Sequence, residues 1–425
     1  MALAAPDPPV VAPAAGEPGA RGSLAPDIYE RANAPALLAG LTAAHFFNDF
    51  CLGIAAPMIP SLETKFGMGL GAVAGIVILT ALFGNFAQPV AGRFMDLSAT
   101  ARVLLLTPLL AGLSLLVGLA TAPWQARLLF ILSGIAIGTF HPYALVLAQR
   151  TLPRRPALAT SIFISFGFLG VSFGSMVSGV WLEHRGFAGF HGLYLIGAAV
   201  VGLLVLVGVP RQRLADYRSP SPPAEPSGPR SSTTGGIGFG WLYLMGLLVA
   251  IEGGTLLFFV PKLFKDLYGS EGLGGQANFL FGVLGGLSSY GLAYLADRGN
   301  PYRIALWVQV AAIAPLVGFF EFEAAGAKMA MMGLMGVTVG GTFPVMVSLA
   351  REAHGLTLGL RLAIMLGGVW GVASLVNLAV AQLPGHGFDL QASMSVIRFL
   401  PLALIPIMAV AARQADGRLA EAAAA

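Results

Sequence analysis

Charge is what this sequence has least of. Only 10% of its 425 residues are Asp, Glu, Lys or Arg, against about a quarter in a soluble domain, and that shortage excludes a water-soluble fold. The 24 basic and 20 acidic residues leave a net charge of +4. Spread along an apolar chain, this excess makes no basic patch, and nucleic acid is not expected as a partner. Cysteine is scarcer still: Cys51 stands alone, so no intramolecular disulfide is possible and the redox compartment cannot be read from cysteine. The six histidines show no metal-ligand spacing and no phosphate-cradling glycine loop is present, so neither a metal nor a cofactor is expected. The first 33 residues lack a basic start followed by an apolar core. Rich in Pro, Ala and Gly, they predict a disordered tail rather than a secretory signal peptide.

What is abundant is apolar length. Hydrophobic residues make up 56% of the chain and the mean hydropathy is +0.79. A membrane-crossing helix takes roughly 20 such residues, and twelve windows qualify, near 35–60, 71–94, 101–121, 125–148, 157–182, 191–209, 238–262, 276–296, 302–320, 329–350, 357–382 and 394–412. The fold class is therefore an all-α polytopic membrane protein. Its one long polar interruption, "PRQRLADYRSPSPPAEPSGPRSSTTGGIG", predicts a flexible linker over 210–237. That linker divides the spans into a six-helix bundle over 34–209 and a second over 238–413, followed by a tail over 414–425. Seventeen of the 24 basic residues fall in loops on the side of the linker and termini. The positive-inside rule then puts those segments in the cytoplasm, with the chain in the inner (plasma) membrane.

The two halves also resemble each other. "PSLETKFG" after the first span matches "PKLFKDLYG" after the seventh, with Pro60 and Pro261 201 residues apart. Asp96 and Arg102, after the second span, stand the same distance before Asp297 and Arg303. "GTFHPYALVLAQR" in the fourth span matches "GTFPVMVSLARE" in the tenth. Repeated halves are typical of secondary transporters, which bind solute between the halves near the midplane and alternate access by rocking. The competing reading is a duplicated scaffold that senses or assembles rather than transports.

These features resemble the major facilitator superfamily over nearly the whole chain. Its loop motif, Gly-x-x-x-Asp-Arg-x-Gly-Arg-Arg, is matched in part: Gly92 and Asp96 in the first copy, Asp297, Arg298 and Gly299 in the second. Within that superfamily, "HFFNDF" in the first span, "QPVAG" at the end of the second and "GTFHP" in the fourth resemble the fosmidomycin-resistance group. The resemblance implies a transporter rather than an enzyme, working as a monomer in the lipid bilayer and exporting a small-molecule substrate against protons. Two antiport signatures are absent: Arg127 sits seven residues before Gly134, and Gly174 is followed by Ser175 instead of Pro. Import of an organic anion or metabolite is the alternative.

Polar residues inside the spans need a reason, since a carboxylate at the bilayer centre costs about 2.5–3.5 kcal/mol. His45 and Asp49, four apart on one helical face with Asn48 adjoining, are candidates for proton binding. Glu252 lies near the position equivalent to Asp49 in the second half and is expected to face it across a cavity. His141, followed by the ladder-breaking Pro142, Gln88 and Asn377 complete the candidate cavity set. For Gln88, Asn377, Asn85, Gln309 and Gln382, interhelical hydrogen bonding is the stronger expectation. By resemblance, Gly92, Asp96, Arg102, Asp297, Arg298 and Arg303 form a cytoplasmic gate.

Overall fold

Helices that are apolar on every side must be buried or face lipid, and both occur here. The computed structural model describes residues 28–97, 101–152, 156–212, 237–296, 298–350, 353–354, 356, 360–361 and 364–424. Twelve apolar helices follow one another: α1 (Asn33–Phe66), α2 (Leu70–Phe94), α3 (Thr107–Leu119), α4 (Pro123–Thr151), α5 (Ala159–Arg185), α6 (Phe190–Leu206), α7 (Phe239–Tyr268), α8 (Glu271–Ala296), α9 (Pro301–Glu321), α10 (Ala325–Val347), α11 (Ile364–His386) and α12 (Leu390–Gly417). Among the described residues ten of these helices are long enough to cross a membrane; α3 and α6 are shorter. The second part of α3, Gly112–Leu119, is wound as a tight 3-10 helix. Its steeper rise of about 2 Å per residue recovers part of the missing length. Large apolar side chains such as Trp124, Trp241, Trp307, Leu195 and Leu206 are more than half exposed on the outside, as a lipid-facing surface requires.

Several boundaries differ from the sequence expectation. The first helix already begins at Ile28, inside the expected tail. The last helix continues from Leu400 to Ala424, because an Ala-rich end favours helix over tail. The remainder of the N-terminal tail and most of the linker lie outside the described residues. The repeat is also imperfect in three dimensions: α1 breaks after Gly53 and resumes at Ile59, whereas the matching α7 runs unbroken from Phe239 to Tyr268.

The halves α1–α6 and α7–α12 meet along α5 against α8 and α2 against α11. On the side away from the linker they are also joined by polar contacts. Ser61 Oγ donates to Glu271 Oε2 at 3.0 Å, and Lys262 Nζ lies 3.2 Å from Glu63 Oε2. Glu183 Oε2 accepts from Gly272 N–H at 2.5 Å and from Ser270 Oγ at 2.7 Å. Gln382 Nε2 donates to Gly71 O at 3.2 Å.

Within the first half, α5 approaches α1 backbone to backbone. A Cβ at Gly170 would lie 2.2 Å from Phe46 O, and one at Gly174 would lie 2.2 Å from Phe50 O. Only glycine permits this approach, which brings α5 against the polar face of α1. Gly170→Ala is expected to lower stability by about 1–3 kcal/mol through overpacking. The effect should be read as a lower unfolding temperature in detergent, with Gly202→Ala, whose Cβ meets nothing within 4 Å, as the control that does not shift it.

Candidate functional site

A cavity of about 830 Å³ lies between the halves, lined by α1, α2, α4 and α5 on one side and by α7, α8, α10 and α11 on the other. It reaches Gly92, Arg93, Leu145 and Leu360 at the linker side, while the cross-half contacts from Ser61 to Gln382 close the opposite side. Its walls are mostly apolar, with Phe168, Phe258, Phe281, Phe343 and Trp370 among them. Among the described lining residues, Asp49 is the one carboxylate and Arg93, at the linker-side mouth, the one fixed cation.

The polar centre is built from two helices. His45 and Asp49 come from one face of α1, and His141 from α4. His45 Nε2 lies 3.2 Å from Asp49 Oδ2, His141 Nε2 lies 3.4 Å from Asp49 Oδ1, and the two Nε2 atoms are 3.2 Å apart. The other ring nitrogens are tied down: His45 Nδ1 to Phe163 O at 2.7 Å and His141 Nδ1 to Ile137 O at 2.7 Å. A carbonyl only accepts, so each Nδ1 carries the hydrogen, and in the neutral ring each Nε2 is left as an acceptor beside the carboxylate. The His45 ring stacks on Phe163 with centroids 4.0 Å apart. His45 is 3% and Asp49 8% exposed.

The other sequence candidates divide. Gln88 and Asn377 line the cavity, and Asn377 Oδ1 accepts from Thr255 Oγ1 at 2.8 Å. Asn48 does not line it: one residue before Asp49 it turns into the bundle, fully buried, and donates to Ala44 O at 2.8 Å. Glu252 does not face Asp49 either. The counterpart of Asp49 is Ala250, and two further residues rotate about 200° round a helix, onto the opposite face of α7. There Glu252 is fully buried in the second half and accepts from Gln309 Nε2 at 2.9 Å.

At the linker side, Gly92 sits on the cavity rim. Arg298 stacks on Tyr294, and Arg303 pairs with Asp416 on α12, so both interact within the second half. The 3-10 turn Arg102–Leu105 begins at Arg102. Asp297 and the side chain of Asp96 lie outside the described residues.

Three residues that sequence reasoning passed over also line the cavity. Thr80, Ser175 and Asn278 are buried there, and Thr80 Oγ1, Ser175 Oγ and Asn278 Oδ1 have no hydrogen-bond partner among the described residues. Hydroxyls and amides in apolar spans ordinarily bond their own backbone, so nothing in the sequence marks these three out. The histidine spacing likewise hid the cluster, because His141 is 96 residues from His45.

A sequence model of the Major Facilitator Superfamily matches residues 41–376. The chain is 25% identical over 378 residues to the 4-hydroxybenzoate transporter PcaK of Pseudomonas putida, covering 75% of this chain and 81% of that one. It is 26% identical over 184 residues to the fosmidomycin resistance protein of Escherichia coli (strain K12), covering 43% of this chain and 45% of that one. Among solved structures it is similar to a bacterial homolog of the human lysosomal transporter Spinster. The inward-facing, unoccupied form has a TM-score of 0.66 at 12% identity, covering 93% of this chain and 99% of that one. The inward-facing, occupied form has a TM-score of 0.63 at 14% identity, covering 90% and 96%.

Glu252 thus sits outside the cavity, buried with Gln309 as its hydrogen-bond donor. Gln309→Leu should cost about 1–3 kcal/mol by leaving a buried acceptor without its donor. Glu252→Gln, which keeps shape and hydrogen bonding, should unfold near the native temperature; thermal unfolding in detergent compares the two.

Proposed function

The chain belongs to the major facilitator superfamily and is a multi-pass membrane transporter of small solutes, and we propose that it exports a small organic solute across the inner membrane in exchange for protons. The observation that carries this reading is the His45–Asp49–His141 cluster on the cavity wall. With both Nδ1 hydrogens committed to backbone carbonyls, the two Nε2 atoms of the neutral rings and the carboxylate are three acceptors in mutual contact. One added proton turns repulsion among them into a shared hydrogen bond. Binding of that proton and of a solute in the same cavity couples the two.

The halves rock about their α5–α8 and α2–α11 contacts, with residues 210–237 as the tether and one chain as the working unit. Positive-inside bias supports a cytoplasmic linker and termini, which makes the described state open inward. Opening outward then requires the Ser61–Glu271, Glu63–Lys262 and Glu183–Gly272 contacts to part. Gly92, Asp96, Arg102, Asp297, Arg298 and Arg303 are proposed to close the inward side in that state. Thr80, Ser175, Asn278, Gln88 and Asn377 supply hydrogen bonds to the solute.

A cavity with a carboxylate in its wall and, among the described lining residues, one arginine at its mouth suits a neutral or cationic solute better than an anion. The longer match to a 4-hydroxybenzoate transporter favours a second reading, uptake of an aromatic carboxylate. Reconstituted vesicles distinguish the two by the direction in which an imposed pH gradient drives flux. Export predicts solute moving against the proton flow, with gradient dependence lost in Asp49→Asn. Uptake of labelled 4-hydroxybenzoate along with protons would replace export by import, and flux indifferent to the gradient would end the coupling claim.

A further inference from the structure

We propose that His45, Asp49 and His141 form a binding site for one divalent first-row transition-metal ion, of zinc-like preference, open on one side to the cavity. The inference rests on the transporter reading in taking the cavity as reachable from water, and a metal ion there would compete with the coupling proton for the same acceptor atoms.

Four observations support the site. The first is the donor set: two imidazole Nε2 atoms and one carboxylate, brought together from α1 and α4, are the ligands of many zinc sites that keep one position open. The second is spacing. In a regular tetrahedron the ligand–ligand edge is about 1.63 times the metal–ligand distance, so Zn–N and Zn–O bonds of about 2.0–2.1 Å call for edges of about 3.3–3.4 Å. The two Nε2 atoms are 3.2 Å apart, the length of one such edge; Asp49 presents Oδ2 to His45 at 3.2 Å and Oδ1 to His141 at 3.4 Å, and one ligand atom from each of the three residues lies within 4.8 Å of the other two.

The third is the outer layer. Metal-binding histidines almost always donate their second N–H to a carboxylate or backbone carbonyl, which fixes the tautomer and aims the ring. Here Phe163 O and Ile137 O hold both rings in that way. The fourth is space. α5 passes the cluster at Gly167, where a Cβ would lie 2.6 Å from both His45 Nε2 and Asp49 Oδ2 and so crowd these ligand atoms. Asp49 Oδ1 has no hydrogen-bond donor among the described residues, and the charged or chargeable groups paired with Asp49 are the two histidines themselves.

Imidazole selects zinc, cobalt, nickel or copper over magnesium and calcium, which prefer all-oxygen shells. The His141 side chain is 26% exposed, and all three residues line the cavity. The remaining coordination position therefore faces the cavity, where water or a donor atom of a chelating solute completes the shell. On this view the solutes best suited to the cavity are those that bind a metal ion themselves.

The test uses the full-length, tag-free protein in detergent, stripped with a chelator and titrated with Co²⁺. The expected result is one Co²⁺ per chain with the intense visible band of a tetrahedral ion, displaced by Zn²⁺ and untouched by Mg²⁺. The band should be lost in His141→Gln and Asp49→Asn and kept in His191→Gln. No band, or one of equal strength in His141→Gln, overturns the site. Because a variant can fail to fold, X-ray absorption of the zinc-loaded native protein serves as a second reading: two imidazoles in the shell support the site, and a shell without imidazole removes it. Gradient-driven flux in chelator-treated vesicles is scored separately. Flux without any Co²⁺ binding removes the metal site and leaves the transport reading; Co²⁺ binding without flux does the reverse.

Discussion

Two backbone carbonyls decide what the centre of this bundle can do. Phe163 O and Ile137 O each take the Nδ1 hydrogen of a histidine. Each leaves an Nε2 beside Asp49 within an apolar wall. Without those carbonyls the rings could turn or exchange tautomers, and His45 and His141 would simply donate to the carboxylate as neutral partners. With them, the neutral rings leave their Nε2 atoms as acceptors beside the carboxylate, the arrangement on which the proposed coupling to protons rests.

The Phe163 carbonyl is in place because of close packing elsewhere, whereas that of Ile137 lies one turn before His141 in α4. Phe163 belongs to α5, and α5 reaches α1 where Gly170 and Gly174 let the two backbones touch. Side-chain contact between the helices would set the axes about 8–10 Å apart; glycine contact brings them nearer. Fold stability and site chemistry are thus linked through the same stripe of small residues. The stripe lies within one half, so α1 and α5 hold the cluster in a single packed unit.

The pseudo-symmetry of the chain is structural and not chemical. Ala250 and Gly246 occupy the places in α7 that Asp49 and His45 occupy in α1. The acid of the second half, Glu252, is turned into its own bundle against Gln309. One wall of the cavity therefore carries the ionisable groups, and the other offers aromatic surface from Phe258, Phe343 and Trp370 with the neutral Asn377 and Ser374.

Sequence alone determined the class of this protein. Low charge, twelve apolar windows and a repeat near 201 residues lead to a twelve-helix transporter fold because lipid permits few alternatives to helices. It also brought out His45 and Asp49, since i and i+4 share a helix face wherever the helix ends up. What the tertiary structure decided were the contacts between helices: His141 joining the pair from α4, Asn48 and Glu252 turned away, and Thr80, Ser175 and Asn278 lining the cavity. The physical reason is rotation. A shift of one residue turns a side chain by about 100°, and the orientation of each helix is set by which neighbour it packs against, a quantity that no single segment contains.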